Sequence, residues 1–584
     1  MKSWAQRERA LQILAKEVGF VSKPHGNRLR VALAFPNTYW VGMSNLGFQT
    51  MYRLFNEEED IVCERFFLPP KQELAELAGA RTPILTLESQ TPAGDFDVIA
   101  FSVSFEWDYV NVLTLLRLAG IPRYAAERGL QHPLVVIGGA VTFVNPEPLA
   151  LFADVIAAGE GEVLAPALGR AFAAATDRRD LLQLLARERG FYIPSFYTPS
   201  YGPDNSLTGY TASSSSESFA APMPVRKAAL KTTDAVDPPA TNIFTPDTEF
   251  GARFLVEVVR GCANLCRFCW AGYNYLPVRA FPTDRILQLA KEARRHASRV
   301  GLVSIALCDH PDIERILSCL HELGYAISPA SLRLDDLTAP IVAVLRASGE
   351  RTITIAPETG SDRLRRVINK TVTNDEILDR AELIFASGIE NLKLYYMIGL
   401  PTETDEDLAA IRDLTLQIRD RMMKYARPRG QIGRIVGSVN PMIPKPATAY
   451  QWLPMVDTAS IDRKIKRLRG LMAGIDNVYF NIKSERHSYY QALLSLGDRR
   501  VAPAIEAAER NGQNWRAAVA EAGIDSDFYL YRDRSRDAVL PWEVIDGGMK
   551  RPFFEAELAR SLREEWTLPP KRARENVKLL PVLS

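Results

Sequence analysis

Apolar and polar positions along the chain fall into two separate rhythms, each of which repeats a short β-rich run followed by an amphipathic helical stretch. From residue 29 to about 190 the β-rich runs lie at 30–35, 61–64, 97–103, 134–137 and 154–157, with helical periodicity at 45–56, 107–118 and 162–175. That alternation predicts a doubly wound, Rossmann-like parallel sheet, in which ligands sit at the carboxyl ends of the strands. Residues 196–250 break the pattern with turn formers, the serine run 213–216 and Val236-Asp-Pro-Pro-Ala, and predict a linker that wraps or hinges. The second rhythm starts at Phe254. Its strands are expected at 254–259, 302–307, 326–334, 352–356, 392–397 and 432–439, with helices at 283–296, 311–323, 338–348, 374–386 and 406–422. Six units fall short of the eight of a closed barrel, so the fold class is α/β with a partial, laterally open (β/α)6 barrel behind the N-terminal sheet. The expected division is a helical lead-in over 1–28, the first sheet over 29–195, the linker over 196–250, the barrel over 251–455 and a mainly helical extension over 456–584.

A chain of 584 residues is too long for one core, which agrees with that division. A formal net charge of +1 gives no global field toward nucleic acid or anionic membrane, so neither is indicated as a partner. No apolar run is long enough to span a bilayer, and the charged start Met1-Lys-Ser-Trp lacks the apolar centre of a signal peptide. The basic face at 462–469 reads first as a solvated helix surface. Six cysteines, half of them clustered, do not make a disulfide framework, and a reducing cytoplasm is expected.

The clustered cysteines change the picture most. Cys262, Cys266 and Cys269 lie in Gly-Cys-Ala-Asn-Leu-Cys-Arg-Phe-Cys-Trp, directly after the first strand of the second rhythm. The spacing is C-x3-C-x2-C, and three thiolates this close can wrap an iron–sulfur cube while one iron keeps no protein ligand. Structural zinc would want a fourth protein ligand, and plainly buried cysteines remain the third reading. The loop sits on the face where barrel folds place their chemistry. No cysteine follows Cys319, so a second cluster in the C-terminal region is not expected.

This loop at the start of a six-unit barrel resembles the radical S-adenosylmethionine superfamily. The resemblance implies a [4Fe–4S] cluster on Cys262, Cys266 and Cys269, with Phe268 among the S-adenosylmethionine-binding residues, and reductive cleavage of S-adenosylmethionine to a 5′-deoxyadenosyl radical. It further implies S-adenosylmethionine contacts. Arg333 in Ser331-Leu-Arg-Leu would meet the methionine carboxylate, with Ser331 in the same segment. Glu358 in Ala356-Pro-Glu-Thr-Gly would lie near the ribose or methionine moiety, and Gly399 would back the adenine. The usual glycine-rich turn at the second strand is replaced by Leu307-Cys-Asp-His-Pro, where Asp309 takes the place of the amine acceptor. Taken singly, Arg333 and Glu358 read equally well as barrel ion pairs.

The first sheet resembles the cobalamin-binding domain of a large branch of that superfamily, in segments holding Asn37, Tyr39 and Gly42, Ser102 and Ser104, and Gly138 and Gly139. The Asp-x-His-x-x-Gly loop of methionine-synthase-type domains appears here as Asn37-x-Tyr39-x-x-Gly42, so a bound corrin would lack a histidine lower ligand. A flavodoxin-like sheet with tight glycine turns is the plainer reading. Phrases such as Gly42-Met-Ser-Asn-Leu-Gly, Asn145-Pro-Glu-Pro-Leu and Gly159-Glu-Gly-Glu are similar to a family that fuses a cobalamin domain to a radical S-adenosylmethionine barrel. The resemblance implies cobalamin as second cofactor, an electron donor such as flavodoxin or ferredoxin, and methylation of an unactivated carbon. A radical cyclisation or other rearrangement without methyl transfer, and a non-catalytic corrin- or cluster-dependent sensor, are the competing functions. The substrate is not legible, and Tyr273, Tyr275, His487, Tyr489 and Tyr490 read as pocket or core alike.

Overall fold

The computed structural model describes residues 3–80, 82–212, 214–216, 219–329, 332–334 and 337–567. The N-terminal sheet holds β1 (Leu29–Phe35), β2 (Ile61–Phe67), β3 (Val98–Ser102), β4 (Leu134–Gly138), β5 (Val155–Ala157) and the short β6 (Phe191–Tyr192). Their order is β2-β1-β3-β4-β5-β6, parallel except for the last pair. This is the flavodoxin-like doubly wound order, whose switch point lies between β1 and β3. Helices α1 (Leu46–Glu57), α2 (Tyr109–Leu118) and α3 (Gly161–Ala174) cover its faces. Both faces are covered, so β1 from Val31 onward, all of β2 and all of β3 are buried. Burial of β2 includes Arg65, which is held by Glu17 at 2.6 Å and Glu88 at 2.6 Å.

Residues 196–250 are more ordered than the sequence predicts. Tyr197–Tyr201 (β7) and Leu207–Ala212 (β8) form an antiparallel hairpin. Val225–Arg226 pairs with Ile545–Asp546, and single bridges join Gly159 to Ala228 and Ala240 to Val256. The segment is therefore sewn to both sheets rather than hinged between them. Turn formers mask this in the sequence, because its pairing partners are distant.

The barrel strands are β9 (Arg253–Arg260), β10 (Arg299–Ser304), β11 (Ala326–Pro329), β12 (Thr352–Glu358), β13 (Asn391–Ile398), β14 (Ile435–Pro441) and β15 (Val478–Ile482). They run parallel in two sheets, β9–β11 and β12–β15. The seventh, β15, comes from the stretch expected to be a helical extension. It has only five residues and alternates buried with exposed, a weak signal beside its helical neighbours. The second strand ends at Ser304, and residues 307–309 form a single 3-10 turn instead. Strand β13 alternates half-buried and buried along its length, one face on the helices and the other on the open lumen.

Helix α4 (Asp362–Ile368) belongs to the barrel, whereas α5 (Glu485–Leu496), α6 (Ala502–Arg510) and α7 (Arg551–Leu562) return to the N-terminal side. One continuous core joins the first sheet to Ala492, Leu493, Ile505 and Leu558 of these helices. The barrel has its own core. Glu509 on α6 ties this return to Arg117 at 2.8 Å and Arg123 at 2.5 Å. No described helix is long and apolar enough to cross a membrane.

Candidate active site

The chain leaves β9 through Gly261, whose φ is +96° and whose Cβ would stand 2.5 Å from the Tyr275 carbonyl oxygen. Only glycine fits that exit, and it starts the cysteine loop at the carboxyl end of the first barrel strand. Backbone amides face the sulfurs, that of Asn264 at Cys262 and those of Ala271 and Gly272 at Cys269. The Cys269 amide donates to the Cys266 carbonyl at 3.0 Å. Burial pushes the Cys266 thiol up to about 12, against the pull of Lys370 beside it. A thiol raised in this way ionises when a metal displaces the proton. Among the described residues no three His, Cys, Asp or Glu side chains close on a single-ion site. On one zinc, thiolates stand about 3.8 Å apart; on a cube each takes a different iron. The loop's donor set, with amides at Cys262 and Cys269, Cys262 buried and the other two half-buried, fits the cube.

Arg267, inside the cysteine loop, is fully buried and was not singled out by sequence reasoning. Its guanidinium donates to Glu557 on α7 at 3.0 Å, to the Arg366 and Val367 carbonyls on α4 at 2.7 and 3.0 Å, and to the Glu565 carbonyl at 2.9 Å. One side chain thus clamps the loop to the end of α4 and to the C-terminal helix. Lys370, also missed, lies beside Cys266 and Cys269 and pairs with Glu358 at 3.3 Å.

Arg333 and Asp309 pair with each other in a two-pronged bridge, 2.7 and 3.2 Å, with Asn264 of the cysteine loop 3.4 Å from the same guanidinium. An acid and a guanidinium side by side are the complement of an amino-acid zwitterion. Glu358 ends β12 at φ +65°, an uncommon conformation for a residue with a side chain, beside a register shift in the ladder. Gly399 has φ +78°, and a Cβ there would meet Ile461 at 2.8 Å. The glycine is thus required by the turn and the helix packed on it; the expectation that it spares room for a ring has no counterpart in that contact. Its amide is held by Glu403 at 2.8 Å. Phe268 is half-buried against the first core. Ser331 lies outside the described residues.

A cavity of about 540 Å³ opens between the two sheets. Its rim is the carboxyl edge of β3 and β4 (Ser102, Ser104, Gly138, Gly139) on one side and Val259, Arg260 and Gly261 on the other, the last adjoining Cys262. From this rim an apolar slot runs down between the sheet and helices α1 and α3, past Leu33, Ala100, Val136, Ala157, Phe55 and Leu168. Gly139 has φ +103°, and a Cβ would fall 2.2 Å from the Val103 carbonyl oxygen, whereas at Gly138 the nearest atom is 3.6 Å away.

The other three residues expected at a corrin do not line this cavity. Tyr39 donates its hydroxyl to Glu17 at 2.6 Å, within the Arg65 network, and Gly42 lies under Phe67, whose ring carbon would meet a Cβ at 2.5 Å. Asn37 donates to Asp108 at 3.0 Å. Burial, opposed only by amides, raises the Asp108 carboxyl to about 6 from 3.8. The folded chain therefore holds this proton more tightly than the unfolded one, and stability is lost as pH rises through about 4 to 6. Asp108→Asn is expected to melt above the parent at pH 7.5, by at most about 3 kcal/mol, and the gap should close toward pH 4. A gap constant with pH would contradict this assignment.

Charged residues bridge the two sheets beside the cavity. Arg260 contacts Glu257 at 2.7 Å, Glu162 at 2.8 Å and Glu160 at 3.2 Å, and Arg279 meets Glu160 at 2.6 Å. The Gly-Glu-Gly-Glu phrase at 159–162 is thus a clasp from the first sheet onto the strand that leads into the cysteine loop.

A three-cysteine loop at the carboxyl mouth of an open β/α barrel, clasped to a doubly wound sheet, is the arrangement of an iron–sulfur enzyme. The family described as "Radical SAM superfamily" matches residues 256–415, and that described as "Radical SAM proteins, N-terminal" matches residues 47–194. The chain belongs to the radical S-adenosylmethionine superfamily, and as such uses a [4Fe–4S] cluster, S-adenosylmethionine and an electron donor. An uncharacterised protein of Methanocaldococcus jannaschii is 27% identical over 480 residues, covering 82% of this chain and 90% of its own length. A tRNA-2-methylthio-N(6)-dimethylallyladenosine synthase of Chloroherpeton thalassium is 25% identical over 182 residues, 29% of this chain and 40% of that protein. Among solved structures, the fold is similar to the radical S-adenosylmethionine methyltransferase TsrM from Kitasatospora setae with cobalamin and a [4Fe–4S] cluster bound. Identity is 12% and TM-score 0.46, over 85% of this chain and 99% of that one. It is also similar to the cobalamin-dependent S-adenosylmethionine radical enzyme OxsB with aqua-cobalamin bound, at 14% identity and TM-score 0.46, over 66% of this chain and 52% of that one.

Proposed function

We propose that Cys262, Cys266 and Cys269 hold the cluster, that Asp309 and Arg333 take the amino and carboxylate groups of S-adenosylmethionine, and that the cavity between the sheets holds cobalamin. The observation that carries the corrin reading is the apolar slot. Interiors are packed to crystal-like density, so a channel of this size running down a sheet face marks a ligand site. Its place between α1 and α3 and its apolar walls suit the flat base of a nucleotide tail, with the larger ring at the rim beside Ser102, Ser104 and Gly138. No histidine is among the lining residues, which supports a corrin without a histidine lower ligand. When bound, the cluster supplies the electron that cleaves S-adenosylmethionine, and cobalamin supplies a methyl group for an unactivated carbon of the substrate.

The chain's own residues do the rest. Asn264, Ala271 and Gly272 direct amides at the sulfurs, Arg267 fixes the loop, and Asp309 with Arg333 orients the zwitterion. The clasp of Glu160, Glu162 and Arg260 keeps the two cofactor sites facing each other, while apolar walls exclude water. A small flavodoxin or ferredoxin fits the need for a low-potential electron donor.

Gly138→Val tests the reading. The added side chain has room at its Cβ and reaches into the slot. The anaerobically purified variant is expected to lose bound corrin, read as its visible absorbance, while keeping its iron content. Corrin bound to the variant at the parent's level would overturn the placement.

A further inference from the structure

A second chamber of about 240 Å³ adjoins the large cavity, and Ser104 lines both. Its walls come from five distant segments: 104–109 after β3, 141–145 after β4, Trp270 at the end of the cysteine loop, Lys445 after β14, and Gln491 and Ser495 on α5. Trp270 directly follows Cys269. Its ring stands 5.9 Å from Phe143 and 5.7 Å from Tyr275, both of which line the large cavity. The small chamber therefore lies one aromatic layer from the cofactor cavity and one residue from a cysteine assigned to the cluster.

The polar groups of this chamber are few and closely specified. Lys445 donates to the Glu106 carboxylate and, at 2.7 Å, to the Ser495 hydroxyl, which uses two of its three protons. The Gln491 amide nitrogen donates to the other Glu106 oxygen at 3.3 Å, and its carbonyl oxygen has no partner among the described residues. The charges of Glu106 and Lys445 cancel, and a neutral wall in a mostly apolar chamber disfavours a ligand with net charge. Beside the hydroxyls of Ser104 and Tyr109, it offers the remaining Lys445 N–H next to the Gln491 carbonyl acceptor. Phe105, Tyr109 and Trp270 add flat aromatic surface that favours a planar partner. The volume is below the roughly 300–1,000 Å³ of drug-sized ligand sites, so it suits a single or small fused ring rather than a nucleotide or a peptide.

We propose that this chamber is the substrate site, and that it takes a small planar ring compound whose edge carries an acceptor next to an N–H donor, a lactam being the simplest case. The assignment rests on the cofactor reading above. The ring's acceptor meets Lys445, its N–H meets Gln491, and its far edge faces the large cavity past Ser104. This gives helix α5 a purpose that its sequence did not disclose.

The test uses saturation-transfer NMR on the full chain loaded with cluster and hydroxocobalamin, with 2-pyridone and N-methyl-2-pyridone as probes. The N-methyl compound lacks the donor. The parent is expected to bind 2-pyridone about tenfold more tightly than its N-methyl derivative, the usual size of one buried hydrogen bond. Gln491→Leu should erase that difference. The double variant Glu106→Gln/Lys445→Met, which leaves no lone charge, should weaken 2-pyridone by about tenfold or more. No saturable binding by the parent, or equal binding of both probes, overturns the substrate assignment. So does a Gln491→Leu variant that still discriminates. Far-ultraviolet circular dichroism and iron content show whether each variant is folded. Failure with corrin and cluster both bound removes only this assignment, whereas a chain that binds 2-pyridone but no corrin contradicts only the cofactor reading.

Discussion

Cys266→Ala protein, reconstituted anaerobically with iron and sulfide, is expected to lose the cluster's visible absorbance and to form no 5′-deoxyadenosine above background. Two thiolates cannot hold a cube that presents one open iron, since the three-cysteine set already supplies the minimum. The fold should survive. The loop is fixed by Gly261, Arg267 and the helix that begins at Trp270, and none of these depends on the Cys266 sulfur. Far-ultraviolet circular dichroism of the apo-protein should therefore match the parent. A variant that keeps its cluster and its 5′-deoxyadenosine would remove Cys266 from the site.

Arg267→Met is expected to have the largest effect on stability. The change takes from buried Glu557 its one fully buried cation and leaves it the partly exposed Arg560 at 2.6 Å; at zero side-chain exposure for Arg267 and Glu557 little water can compensate. Breaking one half of a buried pair costs about 3–5 kcal/mol when the other charge is left alone, and Arg560 offsets part of that here. The Glu565 carbonyl loses its donor as well, whereas the Val367 carbonyl keeps the Tyr450 and Ser561 hydroxyls and the Arg366 carbonyl keeps the Asn369 amide. The melting temperature of the apo-protein should fall, and cluster loading should fall with it because the loop is no longer held. Arg267→Met/Glu557→Leu removes both charges and should recover most of the melting temperature. A single variant that melts like the parent would show that the clamp contributes nothing.

How much of this was legible in the sequence depends on the distance over which a signal acts. The cysteine loop, the alternation of both sheets and the glycines at 138–139 are local patterns, and the structure places them at the mouth of one cavity. Arg267 was hidden because it reads as an ordinary polar residue between cysteines, while its partners lie about 100 and 290 residues away. Strand β15 was hidden by its length. The hairpin at 197–212 looked like a linker because turn formers outnumber periodic apolar positions there. Tyr39 shows the opposite failure, for its register in the loop matched a known pattern. Its hydroxyl is committed to Glu17, a partner that lies before the first strand and that no local spacing predicts. Arg333 and Asp309 were chosen one at a time, and the structure shows them as a pair.

The central claim is that one cluster on Cys262, Cys266 and Cys269 meets S-adenosylmethionine at the mouth of the barrel. Electron paramagnetic resonance of the reduced, reconstituted chain before and after adding S-adenosylmethionine tests it most directly. The expected result is a single [4Fe–4S] signal whose shape changes on addition, with 5′-deoxyadenosine appearing in the same sample. A cluster signal indifferent to S-adenosylmethionine, or none at all, would contradict the account.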